Sequence, residues 1–238
     1  MQAEDRVIHF CVELIHQPSP VNRAALQKLY FELSQTRANY DSIEVNEGGQ
    51  ARFYSNRGKA QSILLFLPDR ALVIEEWADI PLSDFEEKVR VIMPRLGEAR
   101  QIDRFMVHAA TVRSTFALTH YTDSRVFLLD AACGLAGKIT PHFQRPVATG
   151  GLRFVLPETP DHNGALQVNI ESFRHSNDEM FVELKGVYAR QPVLVGDGEE
   201  VVRNFFDPCG NLTNRTDGHA DLRPLTSDFR VSTRDRGA

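Results

Sequence analysis

Cysteine is scarce in this sequence. The three residues, Cys11, Cys133 and Cys209, are far apart and odd in number. None forms a CxxC or CxH pair, which argues against a zinc site built on thiolates. Such a set points to reduced thiols and a cytoplasmic setting. Apolar runs of membrane-spanning length are missing. The opening Met1-Gln2-Ala3-Glu4-Asp5-Arg6 is charged and lacks the apolar core of a secretory signal. Basic clusters are missing too: 27 lysines and arginines stand against 32 aspartates and glutamates, a formal net charge of −5. That balance disfavours nucleic acid and anionic membrane surfaces as partners. There is no GxSxG elbow, and Gly134-Leu135-Ala136-Gly137-Lys138 is too short for a phosphate-binding loop.

What is present is a strand-rich pattern organised around residues 61–96. Residues 62–67 are apolar on both faces, as in the middle of a covered sheet. Pro68-Asp69 has the residues of a tight turn, and 71–77 returns as a second strand that Glu75-Glu76 ends at the water. Ser83-Asp84-Phe85-Glu86 reads as a capping box. Phe85, Val89, Ile92 and Leu96 follow as the apolar stripe of a helix that Pro94 kinks and Gly97 stops. With Ile63, Leu65 and Leu67 against this helix, Leu64 and Phe66 need another cover.

Upstream, residues 7–15 alternate with Ile8, Phe10, Val12 and Leu14 inward. Ser19-Pro20 reads as a helix start, and Leu26, Leu29, Tyr30 and Leu33 mark its apolar face. Strands at 42–46 and 51–55 join through Glu47-Gly48-Gly49. Residues 1–98 therefore read β-α-β-β-β-β-α. Downstream, 104–118 is a long strand and 124–136 a helix. Strands at 151–156, 165–173 and 180–188 precede a helix through Val201, Val202, Phe205 and Phe206. Residues 99–213 thus repeat the order with one strand fewer, and 214–238 form a polar tail. The class is α+β: two pseudo-repeated halves, their sheets joined edge to edge into a largely antiparallel sheet with helices on one face.

In topology this duplicated order resembles the saddle of the TATA-binding protein. That saddle meets DNA with basic side chains and intercalating phenylalanines, and an acidic chain carries no such concentration. The strands at 105–116, 152–156 and 166–170, around a short helical stretch, look like those of a sporadically distributed group of bacterial two-half α+β proteins without an assigned activity. The resemblance implies the fold and no particular chemistry.

Candidate functional residues follow from the facing of the strands. His9 and His108 hold comparable places in the first strand of each half and are expected to face away from the helices, with Glu13 near His9. A metal site there is conceivable, but no HxH, HExxH or HxxxH spacing supports it, and neither metal nor cofactor is expected. Arg153, Gln167, Asn169, Glu171, Glu183 and Lys185 alternate along the second half and read either as a polar ligand surface or as cross-strand pairs on a wet sheet. The expected function is a binding or assembly module that meets a second copy or a protein partner through Leu64, Phe66 and Trp77. The alternative is an enzyme or small-molecule binder with His9, His108, Arg113, Asn169 and Glu183 around a pocket between the halves.

Overall fold

Eleven residues of alternating character form β1 (Asp5–Ile15), the middle strand of the molecule. The structure is a computed structural model. It describes residues 5–201 except 20–21, 47–49, 119, 136–137, 139–140, 143, 162–163, 190–191 and 199–200. After β1 come α1 (Arg23–Ser34), β2 (Ser42–Val45), β3 (Ala51–Arg57), β4 (Ala60–Phe66), β5 (Arg70–Glu76) and α2 (Leu82–Arg100). Then follow β6 (Arg104–Phe105), β7 (Val107–Ala117) and α3 (Ser124–Val126), which runs into a π-helix at Phe127–Ala132. β8 (Gly151–Leu156), β9 (Ala165–Ser172), β10 (Glu179–Tyr188) and β11 (Val193–Leu194) complete the described elements. The fold is α+β. Nine strands form one antiparallel sheet in the order β2-β3-β4-β5-β1-β7-β10-β9-β8, and β11 pairs with β6 apart from it.

The even-numbered apolar residues of β1 (Ile8, Phe10, Val12, Leu14) point to the helix side. Phe10 stacks on Phe85 of α2 at 5.2 Å. Leu26, Leu29 and Leu33 of α1 join Phe85, Val89, Ile92, Met93 and Leu96 of α2 in the same core as Val73, Leu64, Phe66 and Phe53. Leu64 and Phe66 are therefore fully buried on the helix side, correcting the expectation that they face away from α2. A strand apolar on both faces fits either parity. The pairing of Leu64 with Val73, and of Val73 with Val12, decides it. Ile63 and Leu65 are the half-buried residues of the opposite face.

The helix ends differ from the expected signals. Asn22 caps α1, its Oδ1 accepting from the Ala24 and Ala25 amides at 3.0 and 3.2 Å, while the Ser19 hydroxyl donates to the Arg100 carbonyl at 2.9 Å. Pro81 precedes α2 without a side-chain cap, and the helix passes Pro94 and Gly97 to end at Arg100, before Gln101 in the left-handed region at φ 55°. Gly97 is a packing residue: a Cβ there would lie 2.8 Å from Val195 Cγ1. Arg100 is buried, and its Nη2 donates to the carbonyls of Ser19, Leu67 and Pro68 at 3.0, 3.1 and 2.9 Å, fastening α2 to the β4–β5 turn.

The strand expected at 104–118 is broken at Met106, whose amide donates to the Ile15 carbonyl at 2.7 Å. The predicted helix at 124–136 is the short α3 and π-helix. The helix expected through Phe205 and Phe206 and the polar tail lie outside the described residues, as does the Glu47-Gly48-Gly49 turn. No helix among the described residues is long and apolar enough to cross a membrane.

Candidate functional site

Strand pairing aligns one row of polar side chains across the face opposite the helices: Asn56, Gln61, Glu76, His9, Arg113, Glu183, Asn169 and Arg153, one from each of eight neighbouring strands. Alternation puts every second residue of a strand on one face, so cross-strand register alone can assemble such a row. Arg113 Nε donates to Glu183 Oε2 at 2.7 Å, and Asn169 Nδ2 donates to Glu183 Oε1 at 3.0 Å. Burial works to raise the Glu183 pKa, but those two hydrogen bonds prevail and hold the carboxyl below its ordinary value.

His9 stands at the seam of the row, only 8 % exposed. Its Nδ1 lies 3.4 Å from Glu76 Oε1 without hydrogen-bond geometry. Burial, with the Arg113 charge as the second cause, lowers its pKa and favours the neutral imidazole. One position along, burial and then Glu13 push the Cys11 thiol up to about 12, so it stays protonated and is a poor nucleophile. Glu13 is held by Arg70 at 2.5 Å.

Four of the five expected ligand residues, His9, Arg113, Asn169 and Glu183, thus share one row. His108 does not. It pairs with Leu14 and Tyr188 on the helix side, buried and stacked on the Tyr188 ring at 4.8 Å. The expected outward facing counted the alternation from Phe105, and the break at Met106 resets it. With His9 and His108 on opposite faces the His-His-Glu trio cannot form. No group of three metal-ligating side chains stands together among the described residues. Gly186 leaves room for the stack, since a Cβ there would lie 2.7 Å from Tyr188 Oη.

Trp77 is half-buried just past β5 with φ 51°, an unusual conformation for a bulky residue. Its amide donates to the Ile8 carbonyl at 2.7 Å, beside the bulge where β1 shifts register against β7. The Arg6 guanidinium lies 5.9 Å from its ring centroid.

No protein-family model matches the chain, and no curated protein matches it. Any chemistry has to be read from the geometry.

One polar cluster escaped the sequence reading. Glu75, expected at the water, is buried beneath α2, where its Oε1 accepts from Lys88 Nζ and, at 2.8 Å, from Ser62 Oγ. Lys88 also donates to Ser62 and lies 4.8 Å from the Tyr40 ring centroid. The signal was parity: Glu75 follows Ala71 and Val73 on one face, and Lys88 falls three residues after Phe85 on the buried stripe. A hydroxyl bonded to both charges of an ion pair has no free base to activate it, so the cluster reads as a paired buried charge.

The helix side also carries a gradient. Val112 and Leu184 are buried, Val168 is half-buried, and Phe154, next in the same register row, is 49 % exposed. In the neighbouring row Phe53, Leu64, Val73, Val12 and Ala110 are buried, whereas Leu156 at its far end is 48 % exposed.

Proposed function

We propose that the protein is a cytoplasmic binding or assembly module without catalytic machinery, built from two β-α-β-type repeats that meet at the β1–β7 seam. The exposed apolar end of the sheet carries this reading. Phe154 and Leu156 end rows that begin in the core and grow more exposed strand by strand, and large exposed apolar patches mark interaction sites. The open-face row supports it from the other direction. Its carboxylate at Glu183 is occupied by Arg113 and Asn169, and a self-neutralising row suits a solvated sheet face. Unpaired Cys11 and Cys133 agree with a reducing compartment. Light scattering on the eluting peak of a size-exclusion column tests the reading. The expected mass is a multiple of the 26.9 kDa chain, and a monomer at every concentration overturns it.

His9 favours a second reading, a small-molecule site in the centre of the open face. A nine-tenths buried imidazole whose Nδ1 stands 3.4 Å from Glu76 without hydrogen-bond geometry, with Arg113 on its other side, is a group a polar ligand could engage. Thermal shift against small carboxylates and phosphate is its test. Stabilisation that disappears in Arg113→Met is the expected result, and no stabilisation by any of them overturns it.

A further inference from the structure

The two edges of the sheet are built differently. β2 is four residues long, and its exposed Glu44 accepts from Tyr54 Oη at 2.8 Å. A short strand with a charge is how a protein blunts an edge. β8, Gly151-Leu152-Arg153-Phe154-Val155-Leu156, is longer, with Arg153 as its only charge. It is apolar and exposed on both faces: Phe154 and Leu156 on the helix side, and Val155, at 58 %, on the open side. A helix or loop laid over one face would leave the other wet. A strand added in the plane of the sheet gives the side chains of both faces a cross-strand neighbour.

We propose that this strand is β8 of a second copy of the chain, paired antiparallel about a twofold axis perpendicular to the sheet. This rests on the assembly reading above and names its partner and register. Such an axis keeps each face on its own side, so it must pass through a residue and not between two. Centred on Arg153 it would set two guanidinium groups opposite each other, which is unfavourable. Centred on Phe154, it pairs Phe154 with its own copy and Leu152 with Leu156 on the helix side. On the open side it pairs Arg153 with Val155. Every apolar side chain of the edge then meets another or the stem of an arginine, and no like charges are opposed. The interface is isologous and closed, and it joins two nine-stranded sheets into one.

The register makes opposite demands on one exposed position. In the full-length chain, V155E sets a carboxylate across from Arg153 of the second copy and should tighten the dimer several-fold at low salt, an effect lost on adding salt. V155K sets like charges together twice and should weaken it about tenfold. Both are read by sedimentation over a concentration series, with circular dichroism to confirm an unchanged fold. The Phe154→Cys variant should form a disulfide-linked dimer under mild oxidation and Val155→Cys should not. Self-paired Cα atoms lie about 5 Å apart, and a two-residue offset takes them beyond disulfide reach. A dimer indifferent to both charge changes, or cross-linked equally at the two positions, overturns this inference and leaves the assembly reading standing. A chain that is monomeric throughout overturns both.

Discussion

On the helix side, β8 and β9 are no less apolar than β3 to β5, yet the two regions end in opposite states. Phe53, Leu64, Phe66 and Val73 are sealed under α1 and α2, whereas Leu152, Leu166, Val168 and Ile170 are only half-buried and Phe154 and Leu156 face solvent. The exposed strands carry fewer inward polar residues than the sealed ones, which include Ser55, Ser62 and Glu75, so the cover decides and not the composition. A 12-residue and a 19-residue helix lie over the first set. Near the second, α3 and its π-helix sit at the far end, with the Ser124 amide donating to Asn177 in the β9–β10 turn at 2.6 Å. An alternating apolar strand supplies a face for burial and leaves open what will bury it. In the first region the chain answers locally; at the other end the second molecule proposed here extends the sheet and flanks β8 alone.

The comparison can be broken by truncating matched aromatics. Phe66→Ala should lose about 3–5 kcal/mol of stability to its cavity, whereas Phe154→Ala, already half in water, should cost under about 1 kcal/mol in the monomer. Urea unfolding measured at a concentration too low for association separates them, and equal losses would abolish the distinction. Lys88→Met comes next. Removing the ammonium leaves the Glu75 carboxylate buried and unpaired, at a cost of about 3–4 kcal/mol that Glu75→Leu in the same chain should largely restore. A single variant as stable as the parent would show that this pair does nothing for the covered region.

The smallest of the three effects belongs to His108, between the regions. Burial lowers its pKa to about 4, from an ordinary value near 6.5. As the pH falls, the unfolded chain takes up the proton first. Stability from this group is therefore complete above pH 6.5 and drains away between 6.5 and 4, on the order of 3 kcal/mol in all. His9 and His16, lowered chiefly by burial, contribute in the same direction. His108→Gln should flatten the stability profile over that interval, measured by urea unfolding at pH 7.0 and 4.5. An unchanged slope would mean that His108 takes up its proton in the folded chain as readily as in the unfolded one.

Much of this architecture was legible in the residues. The β-α-β-β-β-β-α order, the α+β class and the alternation of β1, β9 and β10 follow from periodicity, because burial of one face leaves a period in the chain. The open-face placing of His9, Asn169 and Glu183 was legible for the same reason, whereas the count from Phe105 that turned His108 outward would have turned Arg113 toward the helices. Facing failed where periodicity is degenerate or interrupted. Leu64 and Phe66 sit in a strand apolar on both sides, so parity had to come from the Val73 pairing. His108 lies beyond a break at Met106 that only the Ile15 carbonyl explains. The caps misled because Ser19 and Ser83 have the right chemistry for helix starts, while Asn22 and an uncapped Pro81 occupy the actual positions. Glu75 was assigned to water by its charge, and its parity was the better guide.

β1 hydrogen-bonds β5 on one side and β7 on the other, and its partner Val112 is not synthesised until long after Phe10. The hairpins β2–β3, β3–β4 and β4–β5 close over short loops, while β1 must wait for a partner from the other half of the chain. Non-local pairing of this kind pays its loop-closure entropy before any contact rewards it. On a ribosome, the first five strands and two helices would emerge with β1 as a bare margin until β7 follows.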